Sequence, residues 1–177
     1  LNIGSMSLAE VLLPGESKEE ILISTYICHP SMANDNLSGV VVSVGLYKTI
    51  SQLKNRKYSY RFLFVPETIG SLAWLAYQNE NEVQERTKAG VVLSCIGNDG
   101  PFTWKRSRHG NSIIDRVVEL CLGDNGTCFD FTPVTGSDER QFCSPGFDMK
   151  IGLLSRSYPG TFSFYHTSAD TPEKTPP

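Results

Sequence analysis

Three short apolar runs, each broken by a polar stretch and followed by a helix-like pattern, constrain this chain more than any other feature. ILISTYIC (residues 21–28), YSYRFLFVPE (58–67) and AGVVLSCIG (89–97) are dominated by apolar and β-favouring residues. Such runs suit strands buried on both faces, as in a parallel sheet with helices on either side. Between them, residues 37–53 read as a helix with Val42, Leu46, Ile50 and Leu53 on one side and Leu37, Val41 and Val44 beside them. Residues 70–86 read as a second helix that turns polar in NENEVQER, and 112–122 as a third, with Ser112 as N-cap and Gly123 as stop. TCFDFTPV (127–134) and MKIGLLS (149–155) read as two further strands. The predicted fold is a three-layer α/β/α domain around a mainly parallel mixed sheet. Residues 1–19 read as a lead-in, and the segment after Thr171 as a frayed tail.

Composition narrows the function classes. A chain of 177 residues, 40% of them hydrophobic, suits one domain with a sizeable core. The formal net charge is −3, and the densest basic group is Lys105, Arg106 and Arg108, which argues against nucleic acid as partner. No apolar run reaches the ~20 residues needed to cross a bilayer, and LNIGSMSLAEVLLPGESKEE lacks the pattern of a secretory signal. Five cysteines (Cys28, Cys95, Cys121, Cys128, Cys143) without a CxxC pair point to reduced thiols in a cytoplasmic protein.

In open α/β sheets ligands gather beyond the carboxyl ends of the strands. Those ends carry His29, then Glu67, then Cys95 with Asn98 and Asp99, while His166 lies far away in FYHTSADTPE. Each has an ordinary explanation. His29 can simply end a strand, Asp35 can cap the helix that follows NDN, Glu67 can be a solvated acid, and His166 can be a buried hydrogen-bonding histidine. Together they make another reading available: two imidazoles and a carboxylate, His29, Asp35 and His166, complete a zinc site with an open position for water. Glu67 is then placed to act as general base. A Cys28–His29 nucleophilic pair is disfavoured because neighbouring strand residues point to opposite faces, which assigns Cys28 to the core. There is no GxSxG turn for a serine nucleophile.

Four blocks carry a resemblance: HPSMANDNLSG (29–39), PETIGS (66–71), SDERQF (137–142) followed by a Pro-Gly, and YHTSADT (165–171). In this order they resemble the zinc-dependent aminopeptidase family that also includes glutamate carboxypeptidases and glutaminyl cyclases. The likeness is nearest to the branch labelled as polysaccharide-biosynthesis proteins with an aminopeptidase-like domain. It implies that residues 1–177 form one aminopeptidase-like catalytic domain, on its own or as a piece of a longer chain. It also implies a histidine ligand at His29, a metal-bridging carboxylate at Asp35, a close helix start at Gly39, the base at Glu67, the last histidine ligand at His166 and a supporting carboxylate at Asp170. The chain departs from the family pattern at Ser31, Thr68, Ser94/Cys95 and Glu139, where relatives carry an aspartate, a second glutamate, an aspartate and a histidine. With those ligands gone, the resemblance implies one zinc held by His29, Asp35 and His166, a second position being at most weakly filled. Cys95, Asp99, Asp138 and Glu139 stand in reserve.

The expected activity is hydrolysis of an amide bond in a small peptide or aminoacyl conjugate. Arg106, Arg108 and Arg140 are available for a substrate carboxylate, with Tyr158 and Tyr165 as oxyanion supports or, more simply, packing residues. A non-catalytic zinc- or peptide-binding module on the same fold is the alternative, followed by a glutaminyl cyclase-like acyl transfer. A homo-oligomer is expected if a sheet edge or apolar face is left uncovered.

Overall fold

A computed structural model of the protein describes residues 4–78 and 80–176. The apolar runs form the middle of one mixed seven-stranded sheet: β1 (Ala9–Leu13), β2 (Glu20–Tyr26), β3 (Ser59–Val65), β4 (Thr87–Leu93), β5 (Phe102–Lys105), β6 (Gly126–Phe129) and β7 (Ile151–Arg156). Their order across the sheet is β1-β3-β2-β4-β7-β5-β6. β3, β2, β4 and β7 run parallel, while β1 pairs antiparallel with β3 and β5 antiparallel with β7. The helices are α1 (Ser38–Ser51), α2 (Ile69–Ala76), α3 (Glu80–Arg86), α4 (Ile113–Leu122) and the single turn α5 (Glu139–Phe142).

Alternation along the strands divides the core in two. Leu22, Leu63, Val65, Val92 and Leu153 face one way, against Trp74 and Leu75 of α2, Val83 of α3 and Phe142 of α5. Their neighbours Ile23, Phe62 and Leu93 face the other way, against Leu46, Tyr47 and Ile50 of α1. Because each strand side chain alternates face, a strand apolar at every position must be covered on both sides. This is the expected three-layer arrangement of a mixed sheet. α4 is closed by a capping box, in which Ser112 accepts from the Asp115 N–H and the Asp115 carboxylate accepts from the Ser112 N–H, and Gly123 ends it as predicted.

Several expectations need correction. The first three residues of the expected lead-in and position 79, inside the expected helix 70–86, lie outside the described residues. The rest of the lead-in is not featureless, since it contains β1. The expected helix 70–86 is two helices, α2 and α3. β5 was not foreseen, and the strand expected at 127–134 stops at Phe129. The strand expected at 21–28 ends at Tyr26. The expected stripe of α1 faces inward only in part: Leu46 and Ile50 pack against the sheet as expected, but Val41, Val42, Val44 and the flanking Leu37 and Leu53 are exposed, and the buried positions are Gly39 and Ser43. Proximity to the sheet explains this, because a Cβ on Gly39 would stand 2.6 Å from both Asn36 Oδ1 and Thr25 Oγ1. Just ahead of the expected tail, the Asp170 carboxylate accepts the N–H groups of Asn34 (2.7 Å) and Asp35 (2.9 Å), and the tail itself forms a single 3-10 turn at Pro172–Lys174.

Candidate metal centre

The carboxyl ends of β2, β3 and β4 open onto three loops. The first, residues 27–37, closes in a wide turn, Ala33–Leu37, whose backbone leaves helical angles at Asp35 and Asn36 across a cis Asp35–Asn36 peptide. Asparagines stitch this turn to the sheet. Asn36 Nδ2 donates to Thr25 Oγ1 (2.8 Å) while its Oδ1 accepts from the Cys95 N–H (3.1 Å). Asn34 Oδ1 accepts from the N–H groups of Gly97 (2.9 Å) and Asn98 (3.0 Å). Asp35 therefore does not cap α1, whose N-cap position is Leu37. Four non-glycine residues of the surrounding loops, Ser31, Thr68, Cys95 and His166, have positive φ. Such backbone persists where the surroundings over-determine it, as at functional sites.

Three of the expected ligand residues converge. One ligand atom each from His29, Asp35 and His166 lies within 4.8 Å of the other two. The His29 and His166 rings are 5.3 Å apart by centroid, and Tyr165 stacks on His166 at 3.9 Å. Asp35 is fully buried. Its Oδ1 accepts from the Tyr26 hydroxyl. Its Oδ2 stands 2.9 Å from His166 Nε2 but makes no hydrogen bond, an orphaned oxygen in the interior. Burying a carboxylate oxygen without a partner is costly unless a cation meets it. Two imidazoles and one carboxylate are borderline donors that suit zinc better than magnesium or calcium, so the residues fit the expected ion. Burial, with the Cys95 and Asp35 charges behind it, raises the Tyr26 phenol far above its ordinary range, so the hydroxyl stays a donor to Asp35.

Glu67 follows β3 and is partly exposed. Ser137 Oγ donates to its Oε1 at 2.6 Å. Behind it, Asp138 Oδ1 accepts from the Thr68 N–H (2.7 Å) and the Ser71 hydroxyl (2.8 Å), which fixes the turn after the strand. Burial pushes the Asp138 carboxyl up to about 7. The loop bearing Ser137 is held from below by a fully buried ion pair, Lys105 Nζ to Glu139 Oε1 at 2.7 Å, and the other Glu139 oxygen accepts the Ser137 N–H at 2.8 Å. Gly136 is required there: its φ is +124°, and a Cβ would come within 2.0 Å of Glu139 Oε1.

The reserve candidates do not join. Glu139 belongs to Lys105, Asp138 to the Thr68 turn, Asp99 is exposed, and Cys95 is a buried thiol whose pKa burial raises to about 12. The three arginines offered to substrate are engaged elsewhere. Arg106 binds Glu119 and Asp130, Arg108 donates to the Cys143 carbonyl, and Arg140 donates to the Ser137 carbonyl. Tyr158 bonds Thr135, and His109 pairs with Asp148. The placing of Cys28 in the core is overturned. Cys28 is exposed, its Sγ lies 3.3 Å from His29 Nδ1, and it accepts the Glu67 N–H at 3.1 Å. β2 has already ended at Tyr26, so strand alternation no longer separates the two side chains.

A domain family described as a domain of unknown function, DUF4910, matches residues 1–175. The chain belongs to the DUF4910 family. It is 50% identical over 173 residues to a Clostridium acetobutylicum protein described as a polysaccharide biosynthesis protein with aminopeptidase-like domain, covering 96% of this chain. The chain spans 39% of that relative's length. A crystal structure of a candidate peptidase from the same organism superposes with TM-score 0.90 at 48% identity, over 96% of this chain and 40% of that one. An aminopeptidase from Aneurinibacillus sp. strain AM-1 gives TM-score 0.77 at 21% identity, over 96% of this chain and 42% of that one. Porphyromonas gingivalis glutaminyl cyclase gives 0.76 at 16%, over 97% and 70%. The last two show a shared fold. This DUF4910 chain thus has the aminopeptidase-like fold that its four sequence blocks resemble.

Proposed function

We propose that this DUF4910 chain is the hydrolytic core of a zinc-dependent, aminopeptidase-type enzyme that cleaves an amide bond in a small peptide or aminoacyl conjugate. The observation that carries the reading is the buried, orphaned Asp35 Oδ2 between two imidazoles. His29, Asp35 and His166 would hold the ion, with Asp170 and Tyr26 fixing Asp35 from behind. When bound, zinc supplies Lewis acidity toward the scissile carbonyl and toward a water in its open position. Glu67 takes the proton of the attacking water and returns it to the departing amine, while Ser137 keeps one of its oxygens oriented. An apolar cavity of about 400 Å³ lined by Ile27, Pro30, Met32, Leu37, Val40 and Pro172 adjoins His29 and offers room for an apolar substrate group.

Purified protein should contain stoichiometric zinc by elemental analysis and turn over part of an aminoacyl-anilide panel. Glu67→Gln should keep the zinc and lose about 10²-fold or more in rate. Zinc with no turnover in either protein sinks the enzyme and leaves a metal-binding module. Thr68 favours that second reading, because its side chain cannot replace the ligating glutamate that relatives carry there.

A further inference from the structure

His29 belongs to two groups of ligand atoms. One is shared with Asp35 and His166; the other joins it to Cys28 and Glu67, again with one ligand atom from each residue within 4.8 Å of the other two. We propose that Cys28, His29 and Glu67 form an outer position for a thiophilic divalent cation, and that filling it withdraws Glu67 from the site.

The geometry is close to that of a shared ion. With Zn–S near 2.3 Å and Zn–N near 2.0–2.1 Å, tetrahedral ligands stand about 3.5 Å apart. Cys28 Sγ and His29 Nδ1 already stand at 3.3 Å. The side chains at this position need little desolvation, since Cys28 is exposed and His29 and Glu67 are partly so. The Glu67 N–H donates to Sγ at 3.1 Å, which holds the sulfur beside the Glu67 backbone. Ser137 holds only Oε1 of Glu67, and Oε2 has no partner among the described residues. As the ion binds, the Sγ–metal bond replaces the S–H bond and the thiol proton leaves to solvent; where His29 already holds an inner ion through one ring nitrogen, the proton on its other nitrogen leaves as well and the imidazolate is shared between the two ions. A thiolate, an imidazole and a carboxylate favour softer ions than the inner set of two imidazoles and a carboxylate. The binding claim stands on this cluster alone; the inhibitory consequence rests on the role proposed for Glu67.

Cadmium titrated into the metal-stripped chain tests the binding claim. Wild type should develop the ultraviolet thiolate-to-cadmium charge-transfer band. Cys28→Ser should lose it, and Glu67→Gln should bind cadmium about tenfold more weakly or worse. Asp35→Asn, which disturbs only the inner group, should retain the band, and so should Cys121→Ser; circular dichroism verifies that each variant is folded. No band in wild type, or a band that survives in Cys28→Ser, overturns the proposal. For the inhibitory half, excess zinc should lower wild-type turnover about tenfold and Cys28→Ser turnover far less. A wild type with no turnover at all fails the hydrolase reading, and the cadmium result still decides the outer position.

Discussion

Asp138 shows how much a single buried side chain can set. It has to sit behind Glu67 because the Thr68 N–H and the Ser71 hydroxyl both need its Oδ1, yet its Oδ2 is buried without a partner. Burial raises its pKa from 3.8 to about 7, so the folded state holds the proton more tightly than the unfolded chain does. The stability this contributes is complete below pH 3.8 and is lost as pH rises through about 7, at a slope of about 1.4 kcal/mol per pH unit between them. Asp138→Asn keeps an oxygen for both donors and removes the titration. Its urea midpoint should therefore vary less than that of wild type across this window. Equal slopes in the two proteins would refute the assignment. At the same scale, His29, Glu67 and His166 were legible in the sequence because their chemistry is rare in this composition and strand ends meet by topology. Cys28 was not. Its face depends on where β2 stops, and the apolar run continues two residues past the last ladder residue, Tyr26.

The parallel strands were readable because a buried strand must be apolar at every position, and the helix 113–122 because Ser112 and Gly123 mark both its ends. β5 escaped for the opposite reason. FTWK is short and ends in Lys105, a residue whose natural place is water, and only partners distant in sequence, Glu139 foremost, make its burial tolerable. The four-residue turn α5 is similarly defined by that pair and not by its own propensity. Lys105 also donates to the carbonyls of Thr132 and Thr135, so one ammonium gathers the whole loop 132–139 under Ser137. Lys105→Met should cost about 3–5 kcal/mol in chemical denaturation by stranding a buried carboxylate. Lys105→Met combined with Glu139→Leu should recover part of that loss. A loss below about 1 kcal/mol in the single variant would mean that the pair does not organise the loop.

Across the whole molecule, the sheet is protected unevenly. β1 covers β3 on its outer side, and Arg61 of β3 ties it down by bonding Glu10 of β1 and Glu20 of β2. Removing residues 1–14 should leave β3 as a bare edge strand and produce self-association on size-exclusion chromatography. A monomer with unchanged stability would show that β1 is dispensable. The exposed apolar residues at and before the start of α1, Val41 at 62% and the N-cap Leu37 at 57% among them, could not be foreseen as exposed. An amphipathic pattern identifies the apolar stripe but not which side a glycine lets approach the sheet. The loop that brings His166 and Asp170 back to the turn at Ala33–Leu37 has a consequence for biosynthesis. Translation proceeds from the amino end, so the sheet strands leave the ribosome before either residue does. Until they follow, Asp35 lacks both the carboxylate that pins its backbone and the second imidazole. The three side chains of the candidate centre should thus converge only after every strand of the sheet has been made.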